Sequence, residues 1–255
     1  MILAIDVGNS HVVLGSIEDG KILNVIRIKT DLKDTWAEYA IKIDQLFEIF
    51  DFDKSGLEGA IIASVVPPVT AAITEAVKKI TGKDCLVVGP GIKTGLNLKI
   101  DDPATVGADL VVGGVAAIAS YGLPSIVLDL GTATTITVID RNRSFIGGAI
   151  IPGVDLSFSA LSAGTSLLPA ISISAPEKVI STNTVDCMRS GAVFGTAAMI
   201  DGMIDRIEEE LGEPCTVVAT GGLAGRITPC CRHAVALDDE LLLKGLWILW
   251  EKNRA

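Results

Sequence analysis

Hydrophobic and polar positions alternate in blocks along this chain, and two of the blocks look alike. Residues 3–20 read LAIDVGNSHVVLGSIEDG: an apolar run ends in Asp6, breaks at Gly8 and Asn9, and resumes at once as a second apolar run. Residues 126–143 read IVLDLGTATTITVIDRNR, the same arrangement. Offset by 123 residues, the distance from Asp6 to Asp129, the two segments align without a gap. Gly8 then meets Gly131, Asn9 meets Thr132, and Val12 and Val13 meet Thr135 and Ile136. The turn EDGK (18–21) meets RNRS (141–144). Short apolar runs bounded by Gly, Asp and Asn predict strands, so each segment reads as a three-stranded meander opening one half of the chain.

Patterning after each meander predicts alternating helices and strands. The first half continues with a helix over about 35–50, a strand GAIIASVV (59–66), a helix over about 68–81, a strand CLVVG (85–89) and a helix over about 103–120. The second continues with a helical stretch near 155–163, a long helix over about 184–211, a strand CTVVATGG (215–222) and a final helix over about 238–253. Two α/β halves are expected, residues 1–120 and 121–255, each of order β-β-β-α-β-α, with ligands bound in the cleft between them.

Composition narrows the function. Aromatic residues make up only 4% of a chain that is 49% hydrophobic, so the core is built from aliphatic side chains. With 26 glycines, that suits buried α/β strands. The net charge of −10 argues against a nucleic-acid partner, which would call for a basic face. It does not exclude phosphates, because backbone N–H groups and metal ions can neutralise them. Five cysteines without a C-x-x-C pair, beside two histidines, do not form a zinc framework. They suit a reducing compartment, and the vicinal Cys230–Cys231 reads as two ordinary thiols. Residues 1–5 begin a strand without a basic leader, and the longest apolar stretch, 110–119, is too short to span a membrane. The expectation is a soluble cytoplasmic protein.

The two Asp-x-Gly turns carry the chemistry. Glycine permits a sharp turn and close approach of a phosphate to the backbone. Asn9 and Ser10 in one turn, and Thr132, Thr134 and Thr135 in the other, offer side-chain donors. An aspartate at a strand end can hold a cation. Either turn alone also reads as a hairpin whose aspartate bonds its own turn; two in register favour a phosphate clamp. A third segment, VVATGGLAG (217–225), runs a strand into paired glycines that permit flat packing of a purine, or form a plain strand-to-helix turn.

With these motifs the chain resembles the superfamily of sugar kinases, heat-shock chaperones and actin, and within it type III pantothenate kinase. The resemblance rests on IDVGNS (5–10), SVVPP (64–68), VVGPGIKTGL (87–96), DDPATVGAD (101–109), DLGTATT (129–135), GGAIIPG (147–153), APEKVISTNTVDCMRSG (175–191) and ATGGLA (219–224). It implies two duplicated ribonuclease-H-like domains of the actin-like ATPase type, with the ligand cleft between them. The implied activity is ATP-dependent phosphorylation of pantothenate to 4′-phosphopantothenate, the first step of coenzyme A biosynthesis.

Residue roles follow by the same resemblance. Asp6, Val7, Gly8, Asn9, Ser10, His11, Val12 and Val13 would form the first ATP loop. Gly131 and Thr132 would form the second, and Gly221 and Gly222 would sit beside adenosine. Mg²⁺ would accompany ATP near Asp6, and Asp129 would bind a monovalent cation, K⁺ or NH₄⁺. Asp109 would be the general base, the carboxylate that phosphoryl transfer to an alcohol requires; without the resemblance it reads equally as a helix N-terminal carboxylate. The acceptor pocket would involve Ile100, Gly107, Ala108, Leu110 and Thr184, the last across a homodimer interface or as a plain N-cap.

Three positions depart from the family pattern. Leu110 stands where an arginine usually follows Gly-Ala-Asp, Ile100 where an aromatic usually precedes Asp-Asp-Pro, and Asp34 where a basic residue is common. All three make the acid pocket less cationic or less aromatic while the ATP loops are intact. Either another cation such as Lys93 or Lys99 replaces the arginine, or the acceptor is a different hydroxylated metabolite. A nucleotide-binding regulator without catalysis is a third reading, and the intact Asp109 argues against it.

Overall fold

The computed structural model describes residues 1–254. In chain order the first elements are β1 (Ile2–Val7), β2 (His11–Glu18), β3 (Lys21–Lys29), α1 (Trp36–Ile49), β4 (Gly59–Ser64), α2 (Pro67–Thr81), β5 (Cys85–Val87), β6 (Asn97–Leu98) and α3 (Ala108–Ser120). There follow β7 (Ser125–Leu130), β8 (Ala133–Ile139), β9 (Ser144–Pro152), α4 (Val154–Ala163), α5 (Thr184–Ser190), α6 (Thr196–Leu211), β10 (Thr216–Thr220), α7 (Ala224–Ile227), β11 (Ala236–Leu237) and α8 (Leu241–Asn253).

The chain forms two compact units. One comprises Met1–Leu96, Asp101–Ala116 and the residues from Glu240 onward; the other comprises Asn97–Ile100 and Ala117–Asp239. This differs from a single cut near residue 121, because α8 returns to the first unit. Glycines receive it there. A Cβ on Gly59 would lie 2.2 Å from the Trp250 ring, one on Gly15 2.8 Å from Leu243, and one on Gly245 2.3 Å from the Val112 carbonyl of α3.

Each unit is built on a sheet of the same order. The first runs β3-β2-β1-β4-β5; the second contains β9-β8-β7-β10-β11, with β6 added beside β9. In the first, β1 pairs antiparallel with β2 and parallel with β4; in the second, β7 does the same with β8 and β10. The central strand β1 buries Ile2, Leu3, Ala4 and Ile5, as a strand covered on both faces must. At the sheet edge β3 alternates between exposed and part-buried positions instead.

Local signals account for the helices. In α1 a capping box joins Thr35 and Glu38, and Tyr39, Ile43 and Phe47, four residues apart, form its buried face. Burying each of these large side chains contributes about 1.5–3 kcal/mol. Pro67 opens α2, and Gly82, at φ +70°, ends it. The expected long helix over 184–211 is interrupted by a π-helical turn at Gly191–Gly195 between α5 and α6.

Candidate active site

In the first unit the turn between β1 and β2 is three residues, Gly8-Asn9-Ser10. The Gly8 N–H donates to the His11 carbonyl (2.9 Å). Thr30, just past β3, fastens the turn: its N–H donates to the Ser10 carbonyl (3.0 Å) and its Oγ1 to the Gly8 carbonyl (2.7 Å). Asn9, Ser10 and His11 are exposed, Asp6 and Val13 are half-buried, and Val7 and Val12 are core residues. A Cβ on Gly8 would meet only the His11 carbonyl, at 3.4 Å, an ordinary contact. Folding therefore does not require glycine here, whereas close approach of a phosphate to the backbone does.

In the second unit the turn is two residues, Gly131-Thr132. The Gly131 N–H donates to the Ala133 carbonyl (3.1 Å), and the Gly153 N–H donates to the Thr132 carbonyl (3.1 Å). A Cβ on Gly131 would meet Asp129 Oδ1 at 3.4 Å, so this glycine too is not demanded by packing. Gly153 is different: its Cβ would lie 2.3 Å from the Thr132 carbonyl oxygen and 2.5 Å from that of Gly131. Thr132 is exposed, but Thr134, expected as a donor, is buried and faces the core.

The two hairpins do not align without a gap. Asp6 pairs with Val13, but Asp129 pairs with Thr135 and not with Ile136. The first and third strands of the meanders keep the offset of 123, as Arg27 and Ile150 show opposite Val13 and Thr135, while the middle strand is offset by 122. A one-residue slip exchanges the two faces of a strand. It makes Thr134 the counterpart of buried Val12.

Register also places different neighbours beside the aspartates. Asp6 lies between Val13 and Ala63; Asp129 lies between Thr135 and Thr220. Residues paired across strands share a face, so the second row offers oxygen atoms and the first only its own carboxylate. Among the described residues no group of three or more His, Cys, Asp or Glu side chains could hold a metal by itself.

Beyond β10, Gly221 has φ +96°, and its Cβ would lie 2.4 Å from Asp129 Oδ1 and 2.7 Å from the Leu130 backbone. Glycine is thus required by the fold at 221, while Gly222 is exposed. The turn that follows is bound to the second loop by Leu223 N–H to the Leu130 carbonyl (3.3 Å). Arg226 then donates to the Ile173 carbonyl (2.9 Å) and borders a cavity of about 450 Å³ with Ser172–Ala175.

Asp109 begins α3 in the first unit, beside Gly107 and Ala108. Its Oδ1 accepts the Leu110 N–H (2.9 Å) and lies 2.3 Å from where a Gly107 Cβ would be, so a side chain at 107 would require this carboxylate to turn. Burial pushes the Asp109 carboxyl above its ordinary range, against the opposing effect of backbone hydrogen bonds. Val65 neighbours both Gly107 and the first loop. Its N–H donates to the Val7 carbonyl (3.1 Å), and its Cγ1 lies 3.6 Å from the same Gly107 Cβ position. The first loop and Gly107, two residues before Asp109, thus both border Val65, just past β4, inside one unit.

The acceptor-pocket residues are less closely grouped. Leu110 is half-buried in the first unit and Ile100 half-buried in the second. Thr184 is the exposed first residue of α5 and is not its cap; Asn183 is, accepting the Asp186 N–H (2.9 Å). Lys99 is paired with Asp140 (3.5 Å), Asp34 with Lys42, and the Lys93 backbone is held by Asn253 (2.8 and 2.9 Å). All five cysteines are free, and burial pushes the Cys231 thiol up to about 11 and that of Cys85 to about 12. Sequence reasoning missed Thr30, Val65 and Gly153 as parts of the site. Following the repeat into its third strand would have paired Thr30 with Gly153.

Comparison with known proteins gives the family and the fold. A sequence model of the family described as type III pantothenate kinase matches residues 2–206. A type III pantothenate kinase of Halalkalibacterium halodurans is 41% identical over 253 residues, covering 99% of this chain and 100% of its own. One of Exiguobacterium sibiricum is 43% identical over 254 residues, covering 100% of both chains. Among solved structures, a protein assigned as a 2-dehydro-3-deoxygalactonokinase from Sinorhizobium meliloti aligns with TM-score 0.60 at 14% identity, covering 100% of this chain and 97% of its own. The (R)-2-hydroxyglutaryl-CoA dehydratase component A of Acidaminococcus fermentans aligns with TM-score 0.55 at 14% identity, covering 96% of this chain and 94% of its own. These likenesses establish the fold alone: two ribonuclease-H-like units of the actin-like ATPase and sugar kinase type.

Proposed function

This chain belongs to the type III pantothenate kinase family, and on that premise we propose that Asp109 is the general base that takes the hydroxyl proton of pantothenate as the hydroxyl attacks the γ-phosphate of ATP. The product is 4′-phosphopantothenate, on the route to coenzyme A. The observation that supports the site assignment is that Val65 borders both the Asp6–Val13 loop and Gly107, two residues before Asp109. With Oδ1 accepting the Leu110 N–H, the second carboxylate oxygen is assigned to receive the proton. Burial raises the basicity of this carboxylate towards the working pH.

The Asp6–Val13 loop contributes backbone N–H groups to the ATP phosphates, and Gly131 and Thr132 do so from the second unit. Gly222 and the cavity beside Arg226 support placing adenosine on that unit's surface. Asp6 suits Mg²⁺, which is usually held by one or two carboxylates together with substrate phosphates. The oxygen-rich row of Thr135, Asp129 and Thr220 suits K⁺ or NH₄⁺. When bound, these cations offset charge on the phosphates.

Two further assignments complete the reading. The enzyme is a homodimer in which Thr184 reaches the partner's acceptor, and it works in the cytoplasm; no helix among the described residues is long and apolar enough to cross a membrane. A monomeric mass by light scattering would remove the dimer.

The decisive experiment compares wild type and Asp109→Asn with ATP, Mg²⁺, K⁺ and pantothenate. Loss of a general base costs typically 10²–10⁴-fold, so the variant should lose roughly that factor in kcat while binding ATP normally. A fully active variant would exclude the role. Leu110→Arg tests the acceptor contact. Supplying a guanidinium to the pantothenate carboxylate should lower KM on the order of tenfold, and an unchanged KM would place the carboxylate elsewhere.

A further inference from the structure

We propose that Thr30, which lies outside every motif of the site, is a positioning residue that holds the first phosphate loop in its anion-binding shape, and that Tyr39 of α1 holds Thr30's neighbour in turn. This inference rests on the reading of residues 6–13 as the ATP loop.

Thr30 is a buried polar residue, 7% exposed, at the end of β3. Both of its hydrogen-bond donors point into the loop: Oγ1 to the Gly8 carbonyl at 2.7 Å and N–H to the Ser10 carbonyl at 3.0 Å. A carbonyl repels an anion, whereas an N–H attracts one. In a trans peptide the two point in opposite directions, and the peptides of this loop are trans. Drawing the carbonyls of Gly8 and Ser10 towards Thr30 therefore turns the N–H groups of Asn9 and His11 to the opposite side. Thr30 thus sets the polarity of the loop without touching the ligand.

Thr30 is itself well anchored. Asp31, next in sequence, has both backbone groups bound to one hydroxyl: its N–H donates to Tyr39 Oη (3.0 Å), and Tyr39 Oη donates to its carbonyl (3.0 Å). Tyr39 is fully buried in the α1 face. The conformation is passed from core to loop as Tyr39, Asp31, Thr30, then Gly8 and Ser10.

The second unit supports the inference independently. At the offset of 123 from Thr30 stands Gly153, and its N–H donates to the Thr132 carbonyl just as that of Thr30 donates to Ser10. Both turns are fastened from the same place in the fold. The longer one has an additional hydroxyl tie; the shorter one is pressed so close that no Cβ fits.

Thr30→Val keeps the shape and removes the hydroxyl; Thr30→Ser keeps the hydroxyl and removes the methyl. The loss of one hydrogen bond predicts that Thr30→Val raises the KM and calorimetric Kd for ATP on the order of tenfold, with kcat at saturating ATP and the thermal midpoint nearly unchanged. Thr30→Ser should restore ATP affinity, which a purely packing role of the side chain would not produce. Tyr39→Phe should shift the KM for ATP in the same direction by a smaller factor. Gly8→Ala, measured alongside, separates the two readings. If it weakens ATP binding while Thr30→Val does not, the positioning role is overturned; so it is if Thr30→Ser behaves like Thr30→Val. If Gly8→Ala leaves ATP binding intact, the loop assignment itself falls.

Discussion

The two meanders begin alike and are fastened differently. The first turn has three residues and a threonine whose side chain ties it down; the second has two residues and a glycine pressed against it. The lost residue is recovered at the next turn. Between the paired Glu18 and Lys21 lie two residues, Asp19 and Gly20, both at positive φ, the two-residue hairpin form. Between Asp140 and Ser144, joined by Asp140 N–H to the Ser144 carbonyl (2.9 Å), lie three, with Arg143 at φ +58°. The bulge falls at equivalent places, Ser16/Ile17 and Val138/Ile139. Strands and bulges are thus retained where side chains must enter the core. Loop length is free to vary where solvent or ligand is the neighbour.

The largest test of this contrast is Gly153→Ala. Its Cβ would meet two backbone carbonyls that cannot rotate away, and overpacking of this kind costs typically 1–3 kcal/mol, so about 3 kcal/mol of stability should be lost together with ATP affinity. Thermal unfolding measures it, and wild-type stability would show that the second turn can relax. At the equivalent position of the first unit a side chain, that of Thr30, is already accommodated.

Next in size is the paired test at the turn glycines. Alanine at Gly8 or Gly131 meets only ordinary contacts and no positive φ, so unfolding should shift by less than about 1 kcal/mol. If phosphates approach both backbones, each variant should nonetheless raise the KM for ATP, on the order of tenfold by the loss of a hydrogen bond or two. A response at only one glycine would break the symmetry of the clamp.

The smallest expected effect concerns what only the first unit contributes. The folded carboxyl of Asp109 is raised by burial, and the base works ionised, so activity should be present above its raised pKa and lost as pH falls through it. The acid limb of kcat/KM should therefore lie above the ordinary aspartate value of about 3.9. A limb at or below that value would mean that Asp109 is hydrated in the working enzyme.

Much of this was legible in the sequence because it is local. A helix cap such as Thr35–Glu38, a proline start such as Pro67, and Asp-x-Gly turns between apolar runs act over a few residues, and their physics is written in adjacent side chains. The two-residue strands β6 and β11 carried no periodic signal, being too short to show one. The long helix was legible, but its π turn at Gly191–Gly195 was not. Thr184 was wrongly weighed as a cap because Asn183, its neighbour, is an equally good one.

By itself, then, the sequence determined the duplicated α/β plan and the two phosphate-loop candidates, and by family resemblance it offered Asp109 as a candidate base, since patterning and motif chemistry depend on residues close along the chain. Only the tertiary structure decided that α8 packs on the first unit, that the middle strand of the second meander is offset by one residue, and that Thr30 and Gly153 fasten the two turns. Those facts depend on hydrogen-bond register and on the space beside a glycine, which are set by residues distant in sequence and become defined only when the chain packs.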